Sequence, residues 1–271
     1  SATGNPDPWT TMWTSNSQGQ GNGSFVVKTG YGTYAENFGR TVVIHGLVGA
    51  DKIGCMVLSE AARGGIHVHS GTTCSVATAV GGHFWNKAEL GPTVQDDPWT
   101  VVQYEASSTQ STMGISLYDG FDVGEHMSHA VVVHSAADGS RVACGTLHVT
   151  MGEPLVAVTE VYPGYAGSTP VMAAEARLSM LPSQGLKFTA SLAGLVPTLR
   201  AGSVAPYPGF DYSAAGAVVN TPPSGSVSVE CLGDGTVRVY YDLSGLPAGG
   251  TGGLHIHSGN TCDEASLVGG H

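Results

Sequence analysis

One stretch of this chain, Gly64-Gly-Ile-His-Val-His-Ser-Gly-Thr-Thr-Cys74, occurs a second time as Gly252-Gly-Leu-His-Ile-His-Ser-Gly-Asn-Thr-Cys262. Each copy is followed at the same distance by Gly-Gly-His, which ends at His83 in the first copy and at His271 in the second. Alternate residues of a β-strand point to the same face. Each His-x-His pair is therefore predicted to present two imidazoles side by side on one strand.

A second repeated block supplies one further histidine to each copy. Thr41-Val-Val-Ile-His45 is followed ten residues later by Cys55, and Ala130-Val-Val-Val-His134 is followed ten residues later by Cys144. Imidazole is a good ligand for copper and zinc, and a buried imidazole without a partner is costly. Repetition of the whole pattern favours metal binding over isolated surface or core histidines. It predicts a four-nitrogen metal site made of His67, His69, His83 and His134.

The composition indicates an all-β protein with many turns. Gly accounts for 40 of 271 residues, while charged residues make up 11% and hydrophobic residues 41%, which is typical neither of a disordered chain nor of a helical bundle. This length predicts about two domains. The net charge of -11 without a basic cluster argues against a nucleic-acid partner. No apolar run is long enough to span a membrane, and we expect any export signal to have been removed.

The histidine and cysteine motifs resemble the copper and zinc superoxide dismutase superfamily. The resemblance rests on Gly-Ile-His-Val-His, Gly-Gly-His and Val-Val-Val-His134, and above all on Gly139-Ser-Arg-Val-Ala-Cys-Gly145. It implies an antiparallel Greek-key β-barrel or sandwich with copper outside the barrel, under loops. It also implies disproportionation of superoxide to oxygen and hydrogen peroxide. Arg141 matches the arginine that guides the anion in that family, an ordinary surface arginine being the alternative.

Departures from that family indicate its copper-only branch, and in particular proteins built of tandem repeats. The zinc-binding members of that family carry additional histidines and an aspartate after the third copper ligand, but residues 84 to 100 contain no histidine, so the resemblance implies copper and no zinc. The interval from His134 to Cys144 leaves no room for the long loop that guides substrate in the zinc-containing enzymes. The resemblance further implies two disulfides, Cys74 with Cys144 and Cys55 with Cys262, in a secreted, extracellular protein; free buried thiols are the alternative. Cys231 is left over and is predicted to be a small buried hydrophobic residue.

The order of the repeats differs from that of the family. We predict that residues 1–58 are the closing half of one barrel, that 59–202 form a complete barrel, that 203–225 are a linker, and that 226–271 are an opening half completed by 1–58. The composite site would use His45, His255, His257 and His271, with Lys52 in the position of Arg141. The two halves are predicted to join within one chain or between copies, and we favour a head-to-tail fibre or a longer tandem polymer. Missing segments of sequence are the rival explanation.

Three classes of function remain open from the sequence. The first is an extracellular superoxide dismutase, either alone or as a unit of a fibre; the second is a structural building block of a filament or coat with residual or no copper activity. The third is copper storage or delivery. The histidines without repeated counterparts, His126, His129 and His148, are predicted to be ordinary surface residues. Asn22-Gly-Ser24 is a candidate glycosylation site, with an unused match as the alternative.

Overall fold

The computed structural model describes residues 7–47, 51–150, 155–167, 173–182, 185–214 and 216–271. The chain divides into two compact units. Unit 1 contains residues 1–62 and 197–271, so both ends of the chain belong to it, and unit 2 contains residues 63–196. Unit 2 is therefore inserted, in sequence, between the two halves of unit 1.

The described residues form eighteen strands, and their helices are at most four residues long, which confirms the all-β prediction. The strands are β1 Met12–Thr14, β2 Gly21–Lys28, β3 Thr41–His45, β4 Lys52–Ala61, β5 Arg63–His69, β6 Gln103–Glu105, β7 Gln110–Leu117, β8 Ala130–His134, β9 Arg141–Thr146, β10 His148–Val149, β11 Leu155–Val158, β12 Glu160–Val161, β13 Ala173–Met180, β14 Leu186–Ala193, β15 Thr198–Ala201, β16 Ser224–Gly233, β17 Thr236–Ser244 and β18 Thr251–His257. The α-helices are α1 Tyr34–Asn37, α2 Lys87–Leu90 and α3 Ala265–Val268, and 3₁₀ turns span Ala77–Ala79, Val94–Asp96, Pro98–Val101 and Val123–His126. None of these helices is long and apolar enough to cross a bilayer.

Unit 1 is one antiparallel sheet that closes almost completely into a barrel. Its strand order is β1-β18-β3-β4-β15-β16-β17-β2. The two end strands approach each other closely, since a Cβ added to Gly21 would lie 2.3 Å from the Thr14 carbonyl oxygen. Apolar side chains fill the interior, among them Trp13, Ile44 and Leu58, all fully buried.

Unit 2 contains two antiparallel five-stranded sheets, ordered β10-β11-β13-β14-β7 and β12-β9-β8-β5-β6. Strand β13 shows the alternation expected of a strand with one face in a core, with Ala174, Ala176 and Leu178 buried and their neighbours mostly exposed. These residues pack with Ile66, Trp99 and other apolar side chains in one large cluster. The core therefore lies on one face of the sheet that contains β5, β8 and β9.

The repeated sequence blocks adopt the same strand register in both units. In unit 2, His67 lies opposite Val132 and His69 opposite Ala130. In unit 1, the equivalent partners are His255 opposite Val43 and His257 opposite Thr41. Residues between the histidines, such as Val68, point into the core, so the imidazoles lie on the outer face of each sheet.

The segments outside the resemblance are integral parts of the two units. Residues 203–225, predicted to be a linker, lie within unit 1, where Ala205 exchanges two backbone hydrogen bonds with Cys55. The predicted linker at about 150 to 171 includes β11 and β12, which extend the two sheets of unit 2; residues 151–154 and 168–171 of it lie outside the described residues. Weak periodicity in these segments reflects their high content of Pro and Gly, not a lack of packing.

Candidate metal centres

The four histidines of the first predicted set converge in unit 2. His67, His69, His83 and His134 each offer one ring nitrogen, and these four atoms lie within 4.8 Å of one another. In a four-coordinate site with metal–nitrogen bonds of about 2.0 Å, no two ligand atoms would lie more than about 4 Å apart. Inward shifts of less than 1 Å per ring would therefore complete the coordination shell.

Protein acceptors fix three of these rings with one nitrogen directed inward. The Nδ1 of His69 donates to the Gly81 carbonyl oxygen at 3.0 Å, and that of His134 donates to the Gly139 carbonyl oxygen at 3.0 Å. Nδ1 of His83 lies 2.6 Å from the Asp97 carboxylate. A carbonyl oxygen only accepts, so the inward Nε2 atoms of His69 and His134, 3.4 Å apart, retain lone pairs for a metal.

The fourth ring, that of His67, has the strongest need for a ligand. The residue is 7% exposed, and within the described part of the chain neither ring nitrogen has a partner of good hydrogen-bond geometry, the Val102 carbonyl being only a weak neighbour. A buried polar group left without a partner costs about 1–3 kcal/mol. The ring folds back over Gly65, where an added Cβ would lie 2.2 Å from the His67 Cε1 atom. The glycine two residues before each His-x-His pair is thus explained by the space that the first imidazole occupies.

Burial and mutual repulsion keep three of these imidazoles, His67, His69 and His134, neutral. Burial, reinforced by the neighbouring histidines, lowers the pKa of His67 to about 2, although the Val102 carbonyl weakly opposes the decrease. Burial also lowers the pKa of His69 to about 3, and that of His134 below its ordinary value. At neutral pH these three rings therefore present unprotonated nitrogen donors, which is the form that binds metal ions.

A cation lies beside the cluster because of a bulge in the sheet. The register shifts between Val133 and His134, which places His134 opposite Arg141; such bulges redirect side chains. The Arg141 guanidinium donates to the Gly81 carbonyl oxygen at 2.8 Å. Arg141, His83 and His134 all line a cavity of about 510 Å³, so an anion that enters it meets the guanidinium next to the imidazoles.

The second predicted set converges in unit 1. The four ligand atoms of His45, His255, His257 and His271 also lie within 4.8 Å of one another. Nδ1 of His257 donates to the Gly269 carbonyl oxygen at 2.9 Å, as His69 does to Gly81 in unit 2. The bulge is repeated too, and it places His45 opposite Lys52. Burial and the neighbouring rings lower the pKa of His255 and of His257 to about 4.

Both predicted disulfides are present, one beside each cluster. Cys74 is bonded to Cys144 in unit 2, and Cys55 to Cys262 in unit 1. Each joins the loop after the His-x-His strand to the strand that follows the fourth histidine. The disulfides therefore hold the loops that supply His83 and His271 against their sheets.

Sequence reasoning missed one acidic residue in each site. Asp97, 7% exposed, pairs with His83, and Asp7 pairs with His271, with Nδ1 to carboxylate distances of 2.6 and 2.5 Å. Both belong to an Asp-Pro-Trp-Thr motif that occurs twice, at 7–10 and at 97–100. This repeat is the sequence feature from which the two acidic residues could have been found. Each carboxylate orients one ring of a candidate metal cluster.

Two of the three histidines predicted to be ordinary surface residues are not. His126 is fully buried, and its Nε2 atom lies 2.6 Å from the equally buried carboxylate of Asp119. His129 stacks on Phe84, with ring centroids 3.7 Å apart, and donates to the His69 carbonyl oxygen. Only His148 of the three is exposed. A buried hydrogen-bonding partner explains why His126 can occupy the interior.

The remaining predicted residues lie in unit 1. Cys231 is buried and has no disulfide partner, and burial raises the pKa of its thiol to about 12. This agrees with its predicted role as a small apolar side chain. Asn22 is exposed on β2, and its glycosylation stays a prediction.

Neither protein-family models, nor curated proteins, nor solved structures gave a match to this chain. The geometry of the two histidine clusters is therefore the basis for any functional conclusion.

Proposed function

We propose that unit 2 is a copper site that disproportionates superoxide, and that the chain is related to the copper-only superoxide dismutases. The observation that supports this most directly is the position of Arg141, which lines one cavity together with three of the four convergent histidines, His69, His83 and His134. A site that only stores copper requires the metal ligands and no neighbouring cation. A fixed cation at the entrance is useful when an anion must reach the metal.

Copper is the metal we propose, with one ion in each cluster. Four imidazole nitrogens suit Cu(II), which binds such sites more tightly than other divalent first-row metals. A second metal bridged by an imidazole would need both nitrogens of one ring. In unit 2 the partly buried ring of His83 has its Nδ1 held by Asp97, which favours a single-metal site without zinc.

Copper bound there would supply one-electron oxidation of one superoxide and one-electron reduction of a second, which with two protons gives oxygen and hydrogen peroxide. The protein residues position the reactants. Arg141 attracts the anion locally, which matters because the net charge of -11 opposes attraction from a distance. Asp97 and the Gly81 carbonyl keep His83 and His69 in the orientation that the metal requires.

Unit 1 is proposed as a second copper site with weaker activity. Lys52 retains the positive charge of Arg141 but has no planar guanidinium to form two parallel hydrogen bonds with an anion. Asp7, the carboxylate partner of His271, is 49% exposed, whereas Asp97, the partner of His83, is 7% exposed. The His271 ring is consequently held less firmly against solvent than His83.

The strand order and the disulfides extend the proposal to the fold type and the cellular compartment. The non-sequential strand order of both units supports a Greek-key arrangement of the dismutase type, present as two repeats of permuted order. Two disulfides favour an oxidising, extracellular compartment. Superoxide is the proposed substrate, and no nucleic-acid partner is proposed.

The test combines metal analysis with matched histidine variants. Purified protein loaded with Cu(II) and freed of excess metal should hold two coppers per chain and remove superoxide. His67→Ala should abolish most of the activity and leave one copper, while the matched variant His255→Ala should also leave one copper but retain most of the activity. A chain with two coppers and no activity, or equal losses in the two variants, would overturn the proposal.

A structural role in a filament or coat, formed head to tail, stays a prediction. It was derived from the split second repeat, but in the structure β1 and β18, from opposite ends of one chain, pair with each other. Exchange between copies is thus not required to complete unit 1. The native mass at micromolar and millimolar chain concentrations distinguishes a monomer from an assembly.

A further inference from the structure

A tyrosine outside the histidine cluster fixes the cation of unit 2. One Nη atom of Arg141 donates to the Tyr162 hydroxyl oxygen at 3.0 Å, and the other donates to the Gly81 carbonyl oxygen at 2.8 Å. The Tyr162 hydroxyl in turn donates to the Ala77 carbonyl oxygen at 3.2 Å. The same Gly81 oxygen accepts from His69. One continuous set of hydrogen bonds therefore links a metal ligand, the cation and the tyrosine.

The cation of unit 1 also lies against a tyrosine. The Lys52 Nζ atom is 5.4 Å from the centre of the Tyr207 ring, and the Arg141 Cζ atom is 5.8 Å from the centre of the Tyr162 ring. Cations within about 6 Å of a ring face are attracted by its electrons. The two tyrosines, 7% and 9% exposed, are thus buried beneath equivalent cations.

A further internal repeat explains this equivalence. Tyr162-Pro-Gly-Tyr165 and Tyr207-Pro-Gly-Phe210 share one motif, and in each the fourth residue donates its backbone N–H to the carbonyl of the first, at 3.0 and 3.1 Å. Pro followed by Gly suits a turn whose third residue has positive φ. Gly164 and Gly209 have φ of 77° and 88°. The turn therefore directs each tyrosine back onto its sheet.

Each tyrosine packs against two strands, the one that ends in the fourth histidine and the one that carries the disulfide cysteine. The Tyr162 ring packs with Val132 and Cys144, and the Tyr207 ring packs with Val43 and Cys55. The backbone N–H of Tyr162 donates to the Val142 carbonyl oxygen at 3.0 Å. A side chain held at both backbone and ring offers its hydroxyl or ring face at a fixed place beside the metal ligands.

We propose that Tyr162 and Tyr207 are positioning residues, which hold the cation of each unit beside its histidine cluster and thereby strengthen the binding of small anions there. This rests on the proposed function in that superoxide is such an anion. Arg141 is held through a hydrogen bond to the Tyr162 hydroxyl, while Lys52 is held over the Tyr207 ring. Removal of the hydroxyl should release the guanidinium in unit 2, and removal of the ring should release the ammonium group in unit 1.

Azide binding to the Cu(II)-loaded protein tests this, followed by its charge-transfer absorption. To isolate unit 2, the titration uses a background in which His255→Ala removes the other site. Tyr162→Phe keeps the ring and should weaken azide binding about tenfold, because a hydrogen bond to a charged group is lost, while copper affinity is unchanged. Tyr165→Phe is the matched control, since unit 1 has Phe210 at that position, and should bind azide as wild type does. In a His67→Ala background, Tyr207→Leu should weaken azide binding to unit 1.

A second readout needs no copper. Nitrogen NMR of the metal-free protein, with the Arg141 signal assigned through Arg141→Lys, should show faster exchange of its guanidinium protons in Tyr162→Phe than in Tyr165→Phe. Unchanged azide affinity, or an unchanged Arg141 signal, in Tyr162→Phe would overturn the inference. Weakened azide binding in a protein that removes no superoxide would instead overturn the proposed function and leave the positioning role intact.

Discussion

A methyl group added at Gly65 should remove copper from unit 2 without unfolding it. In Gly65→Ala the new Cβ would lie 2.2 Å from Cε1 and 2.6 Å from Nε2 of His67. Non-bonded carbon atoms are in contact at about 3.5–4.0 Å, so the ring must retreat by more than about 1 Å. Metal–ligand distances tolerate only about 0.2 Å. Because the contacted atoms are at the tip of a side chain, the ring can move while the backbone stays in place.

The expected loss of affinity follows from the coordination shell. Removal of a partner that merely orients a ligand costs about 10- to 100-fold in metal affinity, and here a ligand itself is displaced. Copper affinity of unit 2 should therefore fall by at least about 100-fold, or about 2.7 kcal/mol. Titration against a competing chelator measures this, with elemental analysis giving coppers per chain and circular dichroism giving the melting temperature.

Two matched variants accompany this experiment. Gly82→Ala adds the same methyl group next to another ligand, His83, but there the Cβ meets no atom within 4 Å, so both coppers should remain. Gly253→Ala places a Cβ 2.6 Å from the His255 Cε1 atom and should remove copper from unit 1 alone. Retention of two coppers at wild-type affinity in Gly65→Ala would refute the steric reasoning.

Asp97→Asn should weaken copper binding in unit 2 by about 10- to 100-fold, because His83 loses the carboxylate that orients it; equal affinities of variant and wild type in the chelator titration would contradict this. The metal-free protein should lose stability as pH falls below about 6.5, since His255 and His257 have folded-state pKa values of about 4 and the unfolded chain binds protons first. Urea denaturation should show a slope of at most about 1.4 kcal/mol per pH unit for each such histidine, and a pH-independent midpoint between pH 4 and 6.5 would count against neutral imidazoles. Cys231, whose thiol pKa burial raises to about 12, should resist a thiol reagent at pH 8 in the native protein and react once the chain is unfolded in denaturant, so immediate reaction of the native chain would show that it is accessible.

The histidine clusters could be predicted from sequence because their geometry is local. Two imidazoles around one buried residue, as in His67 and His69, follow from the two-residue period of a strand. The repeated spacing to His83, and the separate repeated block that ends at His134 with a cysteine ten residues later, then indicated the other two histidines without knowledge of the fold. Their convergence in the structure requires only that β5 and β8 pair in register, and apolar residues on one face specify that register.

The orienting groups could not be predicted in the same way. The partners Asp97 and His83 are fourteen residues apart in sequence, and the path of the intervening loop decides which acidic residue reaches the ring. The Tyr-Pro-Gly motif was harder to find, because Tyr162 follows Cys144 closely whereas Tyr207 is far from Cys55 along the chain. Comparison of spacings detects only repeats that keep the same order.

His126 shows the limit of composition as a guide to burial. A lone histidine without a repeated counterpart is usually at the surface, but here Asp119 lies 2.6 Å from its ring and both groups are fully buried. The pair is costly to desolvate and becomes tolerable only because each group has the other. Nothing in the local pattern of residues 119–126 indicates that the two side chains meet, since the 3₁₀ helix Val123–His126 does not include Asp119 and no single helix or strand contains both residues.

The closure of unit 1 has a consequence for the predicted head-to-tail assembly. Pairing of β1 with β18, and the disulfide between Cys55 and Cys262 across 207 residues, occur within one chain. Unit 2, whose residues are contiguous, forms most of the intervening loop, and the flanking residues Ala62 and Thr198 already share a backbone hydrogen bond at 2.9 Å. The two halves of unit 1 therefore begin from neighbouring points, at an effective concentration in the millimolar range or above. Exchange of these halves between chains keeps the same contacts and adds none. It therefore competes with closure within one chain only when the chain concentration approaches that effective concentration. Once Cys55 and Cys262 of one chain are oxidised to a disulfide, the monomer would persist.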